Sequence, residues 1–94
     1  MHKPYEPKAI AWGGRKWELR EPMSCPVTRE DGMWFVTFEP LRVFAFGDTR
    51  AEAEHEFHAD MAMLFREYME AEDDELTPCA QEMKRYLLEL TASN

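Results

Sequence analysis

The sequence predicts an α+β fold, in which an antiparallel sheet of three to five strands is covered by one long helix and followed by a second. Three observations lead there. Short apolar runs in the first half are separated by Gly13-Gly14 and Asp31-Gly32, which are two-residue hairpin signals. From Thr49 onward the apolar residues thin to helical spacing. A second helix start, Thr77-Pro78, lies beyond an acidic break.

The elements follow in order. In "KAIAWGGRKWEL", Ile10 and Trp12 alternate before Gly13-Gly14, and Trp17 and Leu19 alternate after it, as in a hairpin whose turn needs positive φ. Pro22 and Pro26 make "EPMSCP" a connection. The second hairpin turns at Asp31-Gly32 and leads into Met33 to Phe38, with Trp34, Val36 and Phe38 on one face and Met33, Phe35 and Thr37 on the other. Pro40 ends that run, because proline cannot donate a ladder bond. A further strand is expected from Leu41 to Phe46.

Gly47 then frees the backbone to turn, and either Asp48 or Thr49 starts a helix. Thr49 and Glu52 have the Thr-x-x-Glu spacing of a capping box, with Ala53 as the first apolar contact. The helix is expected over about residues 50 to 71, with Ala53, Phe57, Met61, Leu64 and Tyr68 in one stripe that Phe65 widens. It should cover the sheet. After "EAEDDE", which could loosen locally, Thr77 caps a second helix over about 78 to 91. Its seam of Leu76, Ala80, Met83, Leu87 and Leu90 suits packing on another helix at a shallow angle, within the chain in preference to across a homodimer.

At 94 residues, with 45% apolar and 13% aromatic residues, residues 1–94 should form a single domain with a small core. The net charge of −8 is unevenly placed. Residues 1–48 hold seven basic and seven acidic side chains, whereas 49–94 hold four and twelve. Such a field repels nucleic acid and anionic membranes and speeds encounter with basic proteins. Cys25 and Cys79 have no CxxC spacing and read as free thiols. No stretch has the length and apolarity of a secretory core or a membrane span, so the expected location is the cytoplasm.

No motif nominates a catalyst, and the expectation is a protein that is not an enzyme and takes no cofactor or metal. His55 and His58, with Glu52 and Glu54 a turn earlier, lack the i, i+4 histidines of HExxH. Lying off the apolar stripe, they are expected on a solvated helix face. Ser24, Cys25 and Cys79 have no base and orienting group at motif spacing. No Gly-rich phosphate loop is present. The first hairpin mixes Trp12 and Trp17 with Lys8, Arg15, Lys16 and Arg20, a combination able to stack on single-stranded bases, but hairpin tryptophans more often cover their own sheet. Direct nucleic-acid binding is not expected.

With Gly47, Asp48, Thr49, Glu52 and Ala53 following a hairpin, "DGMWFVTFEPLRVFAFGDTRAEAE" resembles the N-terminal domain of HicB-like antitoxins, over roughly Cys25 to Tyr68. The resemblance implies a partial ribonuclease-H-like unit, a three-stranded antiparallel sheet with a packed helix and no ribonuclease activity. It also implies a role in binding and blocking a small basic RNA-cleaving toxin, HicA. The family's Pro-Asp and following Gly are replaced by Pro40-Leu41, and the usual C-terminal DNA-binding segment has no counterpart in residues 76–90. On this reading Glu54, Glu56, Asp60, Glu67 and Glu70 offer charge to the basic partner. A homodimer is expected as well, and the alternative to toxin binding is a small self-associating structural domain without a toxin partner.

Overall fold

The computed structural model describes residues 2–91 and has an α+β architecture with two antiparallel sheets. The first is a hairpin of β1 (Ala9–Trp12) and β2 (Arg15–Glu18). The second is a three-stranded sheet of β3 (Val27–Glu30), β4 (Met33–Phe38) and β5 (Val43–Gly47), in that spatial order. Helix α1 (Arg50–Leu64) continues into a π-helical turn, Phe65–Met69. A 3₁₀ turn at Asp73–Glu75 then precedes α2 (Pro78–Thr91).

Both hairpins turn where the dipeptides demanded. Gly13 and Gly14 have φ of 59° and 81°, and Asp31 and Gly32 have 51° and 80°, the doubly positive pattern that matches strand twist in a two-residue loop. Registers Ile10↔Trp17 and Val27↔Val36 follow. The two sheets stay separate; the segments leading into them are tied by a bridge between Tyr5 and Cys25 and by the Met23 N–H donating to the Pro7 carbonyl at 3.1 Å.

Strand β5 begins later than the expected Leu41. Glu39–Leu41 forms a 3₁₀ turn with Pro40 near its start, and Arg42 takes the left-handed conformation (φ 55°) before Val43. Leu41 is buried and acts as a plug at the sheet's end instead of a ladder residue. Likewise the long helix stops short of residue 71. The Glu70 N–H donates to the Phe65 carbonyl at 3.1 Å, closing a wide i→i+5 turn that ends the helix at Met69.

The core lies between the sheet and α1. Val27, Val36, Phe38, Val43 and Ala45 come from one sheet face, and Ala53, Phe57, Met61, Ala62 and Phe65 from the helix. The β1–β2 hairpin packs on a second flank of α1, burying Ile10 and Trp17, with the Trp17 ring stacked 5.2 Å from Phe65. Helix α2 packs within the chain, but against the π turn and not along α1. Leu87 is fully buried, and Met83 and Leu90 are packed against the core. Its C-terminal end accepts a bond from the Arg20 N–H at the Leu90 carbonyl, 2.7 Å. The acidic break is pinned, not loose: Lys84 Nζ donates to the Ala71 carbonyl (2.5 Å) and Asp73 Oδ1 (2.8 Å), and Gln81 donates to the Asp73 carbonyl.

A candidate docking surface beside strand β5

The motif that joins β5 to α1 forms the frame of the site. The Glu52 N–H donates to Thr49 Oγ1 at 3.1 Å, so Thr49 is the N-cap. The return bond comes from the Asp48 N–H to Glu52 Oε2 at 2.9 Å, one residue earlier than in the usual box. Gly47 serves a purpose the sequence reading missed. It does not carry the positive φ of a turn glycine. A Cβ there would stand 2.6 Å from Glu52 Cβ and 2.8 Å from the Ala53 nitrogen. The glycine therefore lets strand and helix start touch.

That close handover lays the first three turns of α1 along β5 and leaves a groove between them. Its walls are Phe44, Ala45, Phe46 and Gly47 on one side and Ala51, Glu52, His55, Glu56 and Asp60 on the other. A shallower hollow extends it past Arg42 to Met63 and Leu64. Strand β5 is an edge strand. Its outward side chains, Phe44 and Phe46, are 59% and 58% exposed, and Met63 is exposed as well. Phe46 lies 6.3 Å from Phe35 across the outer sheet face. On that face Met33, Phe35 and Thr37 are half-buried, and Phe44 and Phe46 are exposed.

The groove is electrically one-sided. Glu56 and Asp60 stand one turn apart on the same wall; among the described residues no lysine or arginine lines this main groove, and Arg42 lines the hollow that continues it past Asp60. Burial and then the Glu56 charge push the Asp60 carboxyl above the usual carboxylate range. A carboxylate held this way is stabilised by an incoming cation.

The five acids expected to face a partner are not brought together. Glu56 and Asp60 line the β5 groove. Glu54 lies on another flank, paired with Arg50 at 2.8 Å. Glu67 and Glu70 line a hollow with Trp12, Ala59, Met63 and Arg66. Glu70 is engaged by Arg15 through both carboxylate oxygens, which holds its carboxyl below the ordinary range. Arg15 also sits 4.6 Å over the Trp17 ring, so the hairpin's aromatic and basic residues largely serve internal contacts.

Of the two histidines expected on a solvated helix face, His55 is exposed as expected and His58 is not. His58 is half-buried beneath the N-terminal segment, and its Nδ1 accepts the Ala11 N–H at 3.1 Å. Nδ1 therefore carries no proton, and the proton on Nε2 faces the Tyr5 hydroxyl oxygen at 2.5 Å. Burial is the chief reason that His58 resists protonation, with His55 adding to it and Glu54 opposing it. His55 lies against Trp12, ring centres 4.7 Å apart. No spacing rule revealed this, because the partners Tyr5 and Ala11 lie about fifty residues away. Among the described residues, no three histidine, cysteine, aspartate or glutamate side chains form a metal-holding cluster. Neither cysteine is bridged, with Cys25 buried and Cys79 exposed. No helix among the described residues is long and apolar enough to cross a membrane.

Comparison with protein-family models, with curated proteins and with solved structures finds no match.

Proposed function

We propose that this chain is a non-catalytic protein-binding domain, of the kind HicB-like antitoxins use, that takes up and masks a small basic RNA-cleaving protein in the cytoplasm. The observation that carries this reading is the groove beside β5, where exposed Phe44, Phe46 and Met63 adjoin an acidic wall of Glu52, Glu56 and Asp60. An apolar strip rimmed mainly by acidic charge suits a macromolecular contact. The order of parts around it adds support: hairpin, Pro40 link, third strand, then the Gly47-Asp48-Thr49 helix start. These are the parts that the resemblance implies, and masking by docking asks no residue of this chain to do chemistry.

The test is recovery of the complex. The chain, tagged and expressed at its natural level in its own cell, should bring down a small basic protein. That protein should cleave RNA alone and lose the activity when this chain is added back. Recovery of the chain by itself, or only as a pair of identical copies, would contradict the proposal and favour self-association.

A further inference from the structure

The backbone of β5 fixes what can dock on its edge. The Thr37 N–H donates to the Pro26 carbonyl at 3.1 Å, so Met33, Phe35 and Thr37 turn their backbone groups toward β3. Trp34, Val36 and Phe38 turn theirs toward β5, since successive residues of a strand alternate. The register pairs those three with Gly47, Ala45 and Val43. The N–H and C=O groups of Phe44 and Phe46 are thereby directed away from the sheet. Outside the sheet ladders, none of the hydrogen bonds among the described residues uses them. Two consecutive outward pairs flanked by a groove form a template for another strand.

We infer that the β5 edge is a strand-addition site for an extended segment of a partner protein in which basic residues alternate with apolar ones. The inference rests on the protein-binding reading above and names the partner's chemistry. Residues of an added strand directly opposite Phe44 and Phe46 share their face of the sheet, so apolar side chains there extend the Phe35–Phe46 patch. The residues between them point to the other face, toward Glu52, Glu56 and Asp60 of α1. That is where a basic side chain fits. A second copy of this chain fits worse. Two β5 strands paired about a two-fold axis would set Glu56 and Asp60 of each copy toward the same acids of the other, and like charges at such closeness oppose association.

The experiment uses the full chain and end-blocked peptides of about six residues, the usual strand length. One alternates lysine and valine, a second has the same composition with the lysines grouped, and a third alternates glutamate and valine. Amide exchange is followed by NMR. With the alternating lysine peptide at saturation, exchange of the Phe44 and Phe46 amides should slow about tenfold or more, and binding should weaken with salt. The double variant Glu56→Lys with Asp60→Lys should bind it at least about tenfold less tightly. Phe44→Pro removes an N–H that no ladder bond uses, so it should abolish the protection at Phe46 as well while circular dichroism stays unchanged. Should the proline variant unfold, the charge variant still decides.

Several results would overturn the inference. Peptide binding that leaves Phe44 and Phe46 exchanging freely would place the contact elsewhere and leave the protein-binding reading standing. Protection of both amides in the chain alone, rising with its concentration, would assign the edge to a second copy. Equal binding of the grouped or glutamate peptide would remove the alternation or the charge rule, and absence of any peptide binding would remove the edge site. In those cases the broader reading is judged by recovery of the basic protein, which uses none of these peptides.

Discussion

Replacing Gly47 with alanine should destabilise the fold through a contact that no ordinary turn glycine makes. The added methyl carbon would sit 2.6 Å from Glu52 Cβ and 2.8 Å from the Ala53 nitrogen, against an ordinary contact of 3.4 Å or more. The second neighbour is backbone, so the helix start itself must retreat from β5 by several tenths of an ångström. Overpacking of this kind costs about 1–3 kcal/mol. If the retreat also breaks the bonds of Thr49 and Asp48, a cap worth about 1 kcal/mol is lost. Against this, alanine restricts the unfolded chain and returns about 0.4–1 kcal/mol. The net expectation is a loss of about 1–3 kcal/mol. Urea unfolding followed by circular dichroism reads it directly: with a slope of about 1 kcal/mol per molar for a domain this small, the midpoint falls by about 1 M or more. Because both act on one helix start, Gly47→Ala and Thr49→Ala together should cost less than the sum of the two alone. A midpoint that stays put or rises would show that the handover tolerates a side chain, and the argument from close approach would fail.

Three further outcomes are expected. In the native protein a thiol reagent near neutral pH should label exposed Cys79 and spare Cys25, whose thiol burial pushes up to about 12; both should react in denaturant, and equal native labelling would contradict the buried placement. Folding should weaken on mild acidification because of His58: its folded pKa lies below the ordinary value of about 6.5, so its contribution is complete above that value and is lost as pH falls toward the folded pKa. Replacing His58 with asparagine should flatten the dependence of the unfolding midpoint between pH 7 and 5, values chosen to bracket about 6.5, and an unchanged slope would argue against the Ala11–His58–Tyr5 link. Asp60 has the opposite sign, its pKa being raised; the stabilising effect holds below the ordinary carboxylate range and is lost as pH rises through the folded pKa. At neutral pH Asp60→Asn should therefore raise the midpoint slightly while weakening capture of a basic partner, and a lowered midpoint would speak against crowded charge at that wall.

Much of the fold was legible because its signals are local. Gly13-Gly14 and Asp31-Gly32 fixed two turns, strand alternation put Val36 and Phe38 on one shared face without saying which face was inward, and Thr49 and Thr77 marked two helix starts. The missed features depend on contacts far apart in sequence. Leu41 reads as a strand residue until the 3₁₀ turn around Pro40 and the left-handed Arg42 delay β5. The π turn at Phe65–Met69 leaves the apolar stripe nearly unchanged, so the spacing of Phe65 and Tyr68 could not reveal where the helix stops. Glu54, Glu56, Asp60, Glu67 and Glu70 looked alike as letters, yet Arg50 and Arg15 engage two of them, Glu67 lines a separate hollow, and Glu56 and Asp60 line the groove beside β5. His58 looked solvated because Tyr5 and Ala11 reach it only through the tertiary fold.

The measurement that bears most directly on the central claim is RNA cleavage by the recovered basic protein, titrated with this chain and with its Glu56→Lys, Asp60→Lys variant. The account predicts that the native chain silences cleavage at a fixed molar ratio and that the variant leaves most of it running while folding normally. Equal silencing by both chains, or by neither, would contradict a masking surface built from the acidic groove beside β5.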